Sequence, residues 1–175
     1  MVEIPLSYAI VTGVGEYVVN EIANDAIGGR PERISLIVPG EIAWDKCDCG
    51  LFAQTITSIA PTSSFPTSGA DVPVRGCGHQ MEMVSVTMTL LRCISGPVNG
   101  VAPNVKSLAH DALVVESDRT VMRHALTCYL KKLRDIPPRI FDFTVGAATS
   151  VGPDGGCGGV TINYSFAIAN SAMCC

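Results

Sequence analysis

The sequence predicts an α+β fold: an antiparallel or mixed sheet of about four to five strands, two or three helices packed on it, one long loop and a C-terminal β-hairpin. Three observations carry this. Val84, Val86, Met88 and Leu90 alternate with Ser85, Thr87 and Thr89, and residues Val160 to Ile168 alternate likewise with Thr161, Asn163, Ser165 and Ala167. That is the two-residue period of half-buried strands. Leu6, Ile10, Val14, Val18 and Ile22 recur every fourth position, the mark of an amphipathic helix. The run Gly152-Pro-Asp-Gly-Gly-Cys-Gly-Gly159 directly precedes the last alternating stretch, where a hairpin turn belongs.

Taken in order, the first helix starts near Leu6, with Tyr17 widening its apolar stripe and Glu16, Glu21 and Asp25 on the wetter side. Gly28-Gly29 and Pro31 end it. Ser35-Leu-Ile-Val-Pro39 reads as a short strand, and Glu41 to Ile59 as extended chain with Gly50 suited to a bulge. Residues 60–79 hold Pro61, Pro66 and Pro73 among Ser, Thr and Gly, and read as a long loop. Gln80 to Ile94 is the clearest central strand. Gly96-Pro97 turns the chain toward Asn104, a good N-cap for a helix carrying Val105, Leu108, Ala109, Ala112 and Leu113. A second helical stretch, Asp118 to Leu133, places Val121, Ala125, Tyr129 and Leu133 on one face, and the two stretches are close enough to be one helix. Pro137-Pro138 stops it, and Ile140 to Val145 forms the first strand of the hairpin. No internal repeat or linker divides the chain, so 1–175 reads as one domain, with a mobile tail at 170–175.

Composition narrows the function. Of 175 residues, 47% are hydrophobic and only 16% charged, and mean hydropathy is +0.35. Disorder is excluded for most of the chain, and so few charges leave either a neutral exterior or one covered by another chain. A net charge of −4 and pI near 5.3 argue against a protein that mainly grips nucleic acid. Residues 155–175 carry no charge and are long enough to span a bilayer, but they alternate like a strand, so no membrane role is expected. The start, Met1-Val-Glu-Ile-Pro-Leu6, lacks a basic region followed by an apolar run, which points to synthesis in a reducing cytoplasm.

The charges are segregated. Residues 1–102 hold five basic and ten acidic groups, 103–142 hold seven and five, and beyond 142 only Asp154 is charged. Segregation of this kind could guide a basic helix of one subunit to an acidic surface of the next, but Lys131, Lys132 and Arg134 sit where cations ordinarily favour a helix C-terminus, and a solvated helix face is the commoner fate of such charges. The uncharged second face of the last strand suits a neighbouring subunit or a covering helix.

Eight cysteines invite chemical readings. Cys47 and Cys49 with Cys77 and His79 form a candidate zinc set, but a CxC pair chelates poorly. Disulfides joining Cys47 or Cys49 to Cys157 or Cys77 are the rival, and plain thiols at Cys93 and Cys128 a third state. His124 and Cys128, four apart on a helix, could approach each other as base and nucleophile, yet no orienting group or oxyanion site accompanies them. The glycine run at 152–159 opens no helix and lacks a GK[ST] ending, so it is no phosphate loop. No catalytic, cofactor-binding or metal-binding residue is assigned.

Ala43-Trp-Asp-Lys-Cys-Asp-Cys-Gly50, Ser64-Phe-Pro66, Leu90-Leu-Arg-Cys93 and Gly152-Pro-Asp-Gly-Gly-Cys-Gly-Gly159 follow one another in an order that resembles the head-to-tail connector proteins of long-tailed phages infecting actinobacteria, most of all their tail terminators. The resemblance spans residues 5–170. Thr161-Ile-Asn-Tyr164 and the Met-Cys-Cys end depart from it. It implies a ring, expected to be a hexamer, that caps the tail tube protein, stops tube elongation and joins a head-closure or neck protein while genomic DNA passes without specific binding. It implies no catalytic residue and no cofactor, assembly in the host cytoplasm and residence at the tail–neck junction of the virion. The length and composition of the loop at residues 60–79 point to a docking segment. Another neck connector is the alternative of the same class; a small Cys/His enzyme or zinc-binding regulator is the alternative of a different class.

Overall fold

Helix α1 (Leu6–Asp25) follows the four-residue apolar period and buries Ile10, Val11, Val14, Val18, Val19 and Ile22. The structure is a computed structural model that describes residues 4–40, 50–67, 80–97, 100–154 and 156–170. Five strands follow in one mixed sheet: β1 (Arg33–Ser35), β2 (Leu51–Thr62), β3 (Gln80–Cys93), then helix α2 (Val105–Asp135), and β4 (Asp142–Asp154) with β5 (Cys157–Asn170). The spatial order is β1-β2-β3-β5-β4. β1 runs parallel to β2, and the other pairs are antiparallel. The α+β class and the C-terminal hairpin are as the sequence predicts.

Several boundaries differ. The first strand is shorter and earlier than Ser35–Pro39. β2 continues to Thr62, so the stretch expected as loop from residue 60 begins at Ser63, where a Ser64–Thr67 bridge closes a tight turn. Residues 41–49, 68–79 and 171–175 lie outside the described residues, and with them the start of the extended segment, most of the long loop and the tail. The bulge falls between Ile56 and Ser58 rather than at Gly50. The two helical stretches are one helix, capped by the Asn104 side chain accepting from Lys106 N at 2.9 Å. β4 runs well past Val145, because the residues after it still pair with β5 through a bulge near Gly146.

Both helices lie on one face of the sheet. Val84, Val86, Met88, Leu90, Val160, Ile162, Tyr164 and Phe166 point inward to meet α1 and the second half of α2, which buries Met122, Ala125, Leu126, Leu130 and Leu133. The helices are antiparallel, locked where Tyr17 stacks on Tyr129 with ring centroids 4.9 Å apart. Gly13 lets the Tyr129 hydroxyl approach α1: a Cβ there would come within 2.9 Å of it.

A polar rivet crosses this apolar layer. Gln54, fully buried on β2, donates through Nε2 to Val11 O at 3.1 Å and Leu36 O at 2.9 Å, and its Oε1 accepts from Tyr164 Oη at 2.8 Å. All three amide interactions are satisfied inside the core, which is the condition for burying an amide without large cost. Gly15 makes room for it, since a Cβ there would overlap Gln54 Nε2.

Candidate functional site

The position of α2 is set by a buried ion pair. Arg92, near the end of β3, bonds Asp118 through Nε–Oδ2 at 2.8 Å and Nη2–Oδ1 at 2.9 Å. Its Nη1 donates to Gly28 O at 3.0 Å and Nη2 to Gly29 O at 2.8 Å. One guanidinium thus joins the end of β3, the turn after α1 and the middle of α2. Such a planar donor fork fits a carboxylate and two carbonyls together in a way that lysine cannot. Ser117 Oγ accepts from Ile27 N at 3.0 Å beside it.

Past this staple α1 has ended but α2 has not. The residues of α2 before Ser117 number twelve, about 18 Å of helix. Here the sequence expectation fails: Val105, Leu108, Ala109, Ala112 and Leu113 are exposed rather than buried, Val105 at 78% and Leu113 at 56%. The first buried residue of α2 is Asp118, because the opposing helix stops at Asp25 and no other described element packs over the overhang. Among the described residues the overhang is tied back where Ser95 N donates to Asp111 Oδ2 at 2.7 Å and holds that carboxyl below its ordinary range. An open groove of about 400 Å³ separates it from the β4–β5 turn, with Leu108, Ala112 and Val115 facing Val151, Pro153 and Gly158. At the opposite end of the helix layer, Ile4, Leu6 and Tyr8 are exposed.

The second surface is the face of the sheet away from the helices. Across β2, β3 and β5 its outward positions carry no charge. Hydroxyl and amide pairs cross the strands: Thr87 Oγ1 to Asn163 Oδ1 at 2.8 Å, Thr89 to Thr161 at 2.8 Å, and Ser165 to Ser85 at 3.1 Å. No described helix covers this face, and Asn163, Thr144 and Thr149 are exposed on it. Toward one end, Leu51, Leu91 and Cys157 form a small buried cluster with Val151.

The candidate chemistry resolves unevenly. Cys128 Sγ lies 3.6 Å from His124 Nε2, both exposed, and no carboxylate bonds the imidazole among the described residues. That is a thiol–imidazole contact on an open helix, without the oriented base that acyl chemistry needs. Cys47, Cys49, Cys77 and His79 lie outside the described residues, and the described residues hold no metal-ligating cluster. Cys157 is disulfide-bonded, its partner lying outside the described residues. The glycine run is a hairpin turn: Gly156 has φ +83°, and a Cβ on Gly159 would overlap the Leu90 carbonyl. Cys157–Asn170 is a strand, and no described helix is long and apolar enough to cross a membrane.

Sequence reasoning missed the staple and the rivet. An arginine following Leu90-Leu91 and a glutamine within Leu51-Phe-Ala-Gln54 were the available signals, since polar residues in apolar strands need buried partners. No protein-family model matches the chain, and no curated protein matches it.

Proposed function

We propose that this chain is a structural virion protein, a tail terminator whose subunits form a ring that caps the tail tube and joins it to the neck. The observation that carries the ring is the pair of unlike apolar patches at opposite ends of the helix layer: Val105, Leu108 and Leu113 at one end, Ile4, Leu6 and Tyr8 at the other. A closed ring is built from heterologous contacts, in which one patch meets a different patch on the next copy. The uncharged outer sheet face supports the same reading, because a wall along which DNA slides must not hold phosphate. Support for the phage class comes from the order of the sequence segments, two of which, Leu90–Cys93 and Gly152–Gly159, fall at one end of β3 and β5.

Native mass spectrometry tests the ring, with six copies of 18.4 kDa expected and a monomer at micromolar concentration counting against it. Electron microscopy of labelled particles tests the place: label at the tail top supports a terminator, and label elsewhere in the neck assigns the chain to a neighbouring connector.

A further inference from the structure

Among the described residues β4 is the outermost strand, pairing with β5 alone. It spans 13 residues, whereas the opposite edge strand β1 has three. Asp142, Thr144, Gly146, Ala147, Thr149 and Ser150 are exposed along it. A long edge presents alternate N–H and C=O groups to any strand that aligns with it. Natural edges are usually blunted by charge or proline, and between Asp142 and Pro153 this one has neither; its register with β5 shifts near Gly146 and again after Val151.

Helix α2 runs beside this edge, antiparallel to β4. Arg119 Nη2 donates to Ser150 Oγ at one end, and Arg134 lies 4.0 Å from Asp142 at the other. Two open cavities lie along this flank of α2, one between these points and the other at and beyond the Arg134 end. One, of about 450 Å³, is bounded by Arg119, Arg123, His124 and Thr127 of α2 and Ala148 of β4. The other, of about 680 Å³, is bounded by Lys131, Arg134, Arg139 and Phe141. Arg119 is engaged by Glu116 and Arg134 by Asp142. Arg123, Lys131 and Arg139 are exposed and make no ion pair among the described residues.

We propose that the β4 edge and the cationic flank of α2 form one docking groove for an extended, acidic segment of a partner protein, which adds to the sheet as a sixth strand. Main-chain bonds to β4 supply the alignment, and carboxylates on the helix side of the new strand meet Arg123 and Lys131. The spacing agrees. Eight residues of helix separate those cations by about 12 Å, and carboxylates four residues apart on one face of a strand are about 13 Å apart. A nucleic acid fits less well, since its backbone has no alternating donors and acceptors to pair with a strand edge. The proposal does not depend on ring formation.

The test uses the full chain and a fluorescent peptide of about ten residues alternating Glu with Thr. The expected result is saturable binding that weakens with salt, with new amide-exchange protection confined to residues 142–151. Replacing Glu by Lys in the peptide should abolish binding. N-methylation of alternate peptide amides should lower affinity about tenfold or more. The double variant Arg123→Glu, Lys131→Glu should lose a similar factor while its circular dichroism and melting stay unchanged. Equal binding of the N-methylated peptide overturns the strand addition, and equal binding by the double variant overturns the charge recognition. A single-stranded DNA oligonucleotide that binds more tightly than the peptide, or self-association through β4 that leaves the peptide unbound, overturns the choice of partner.

Discussion

Replacing Asp118 with alanine takes the bidentate carboxylate away from the buried Arg92 guanidinium. Arg92 is 5% exposed and Asp118 1%, so neither charge has water to fall back on. The carboxylate takes two of the guanidinium bonds, at 2.8 and 2.9 Å, while Gly28 and Gly29 accept only from the remaining donors. Breaking a buried pair from one side costs about 3–5 kcal/mol, because the guanidinium stays desolvated while losing the carboxylate that offset this. Set against a total stability of about 5–15 kcal/mol, that is a large fraction. With a urea dependence of about 2 kcal/mol per molar, the unfolding midpoint should fall by about 2 M. The assay is urea unfolding followed by circular dichroism at fixed protein concentration, which removes any contribution from assembly. The partner experiment removes both charges: Arg92→Met with Asp118→Leu should recover most of the loss, since an apolar pair of similar volume has no charge to desolvate. A midpoint shift below about 0.5 M for Asp118→Ala, about 1 kcal/mol at that slope, would refute the reasoning. So would a double variant as unstable as the single one.

Gly15→Ala should destabilise by about 2 kcal/mol or more despite the better helix propensity of alanine, because its Cβ displaces Gln54 from Val11 O, Leu36 O and Tyr164; thermal melting checks it. Burial raises the Tyr164 hydroxyl well above 10, so the protonated phenol belongs to the folded state. Its contribution is therefore whole below about pH 10 and declines as pH rises beyond that, where the unfolded chain ionises first; urea midpoints from pH 9 to 11 should fall in the parent and fall less steeply in Tyr164→Phe. Leu108→Asp with Leu113→Asp should leave the monomer fold within about 0.5 kcal/mol, since both side chains face solvent, and should abolish ring formation in native mass spectrometry. Asn104→Ala removes the cap of the overhang and should speed amide exchange over residues 105–113 while leaving the global midpoint nearly unchanged, because no core residue lies in that segment.

Elements with a clean period were legible from residues alone. The alternation of Val84 to Leu90 and of Val160 to Ile168 identified two strands and their inward faces, because successive side chains on a strand point to opposite sides whatever surrounds them. The same is true of α1, of the Asn104 cap and of Pro137 as the stop of α2. The uncharged second face of β5 was also legible, since composition and parity suffice to define it.

Burial along α2 was not legible. Its first half is as apolar on one side as its second, and whether that side is covered depends on where α1 ends, a fact about another element. The pairing of β5 with β3, unlike its local hairpin with β4, is likewise a choice among distant partners. Arg92 meets Gly28 and Gly29 more than 60 positions away, and Tyr164 meets Gln54 across 110. Local sequence thus determined period, caps and stops, which act over a few residues through backbone geometry. Among the described residues, tertiary structure alone decided which polar groups were buried, which half of a helix stayed bare, and which strand was left as an open edge, because desolvation depends on what distant parts of the chain bring into contact.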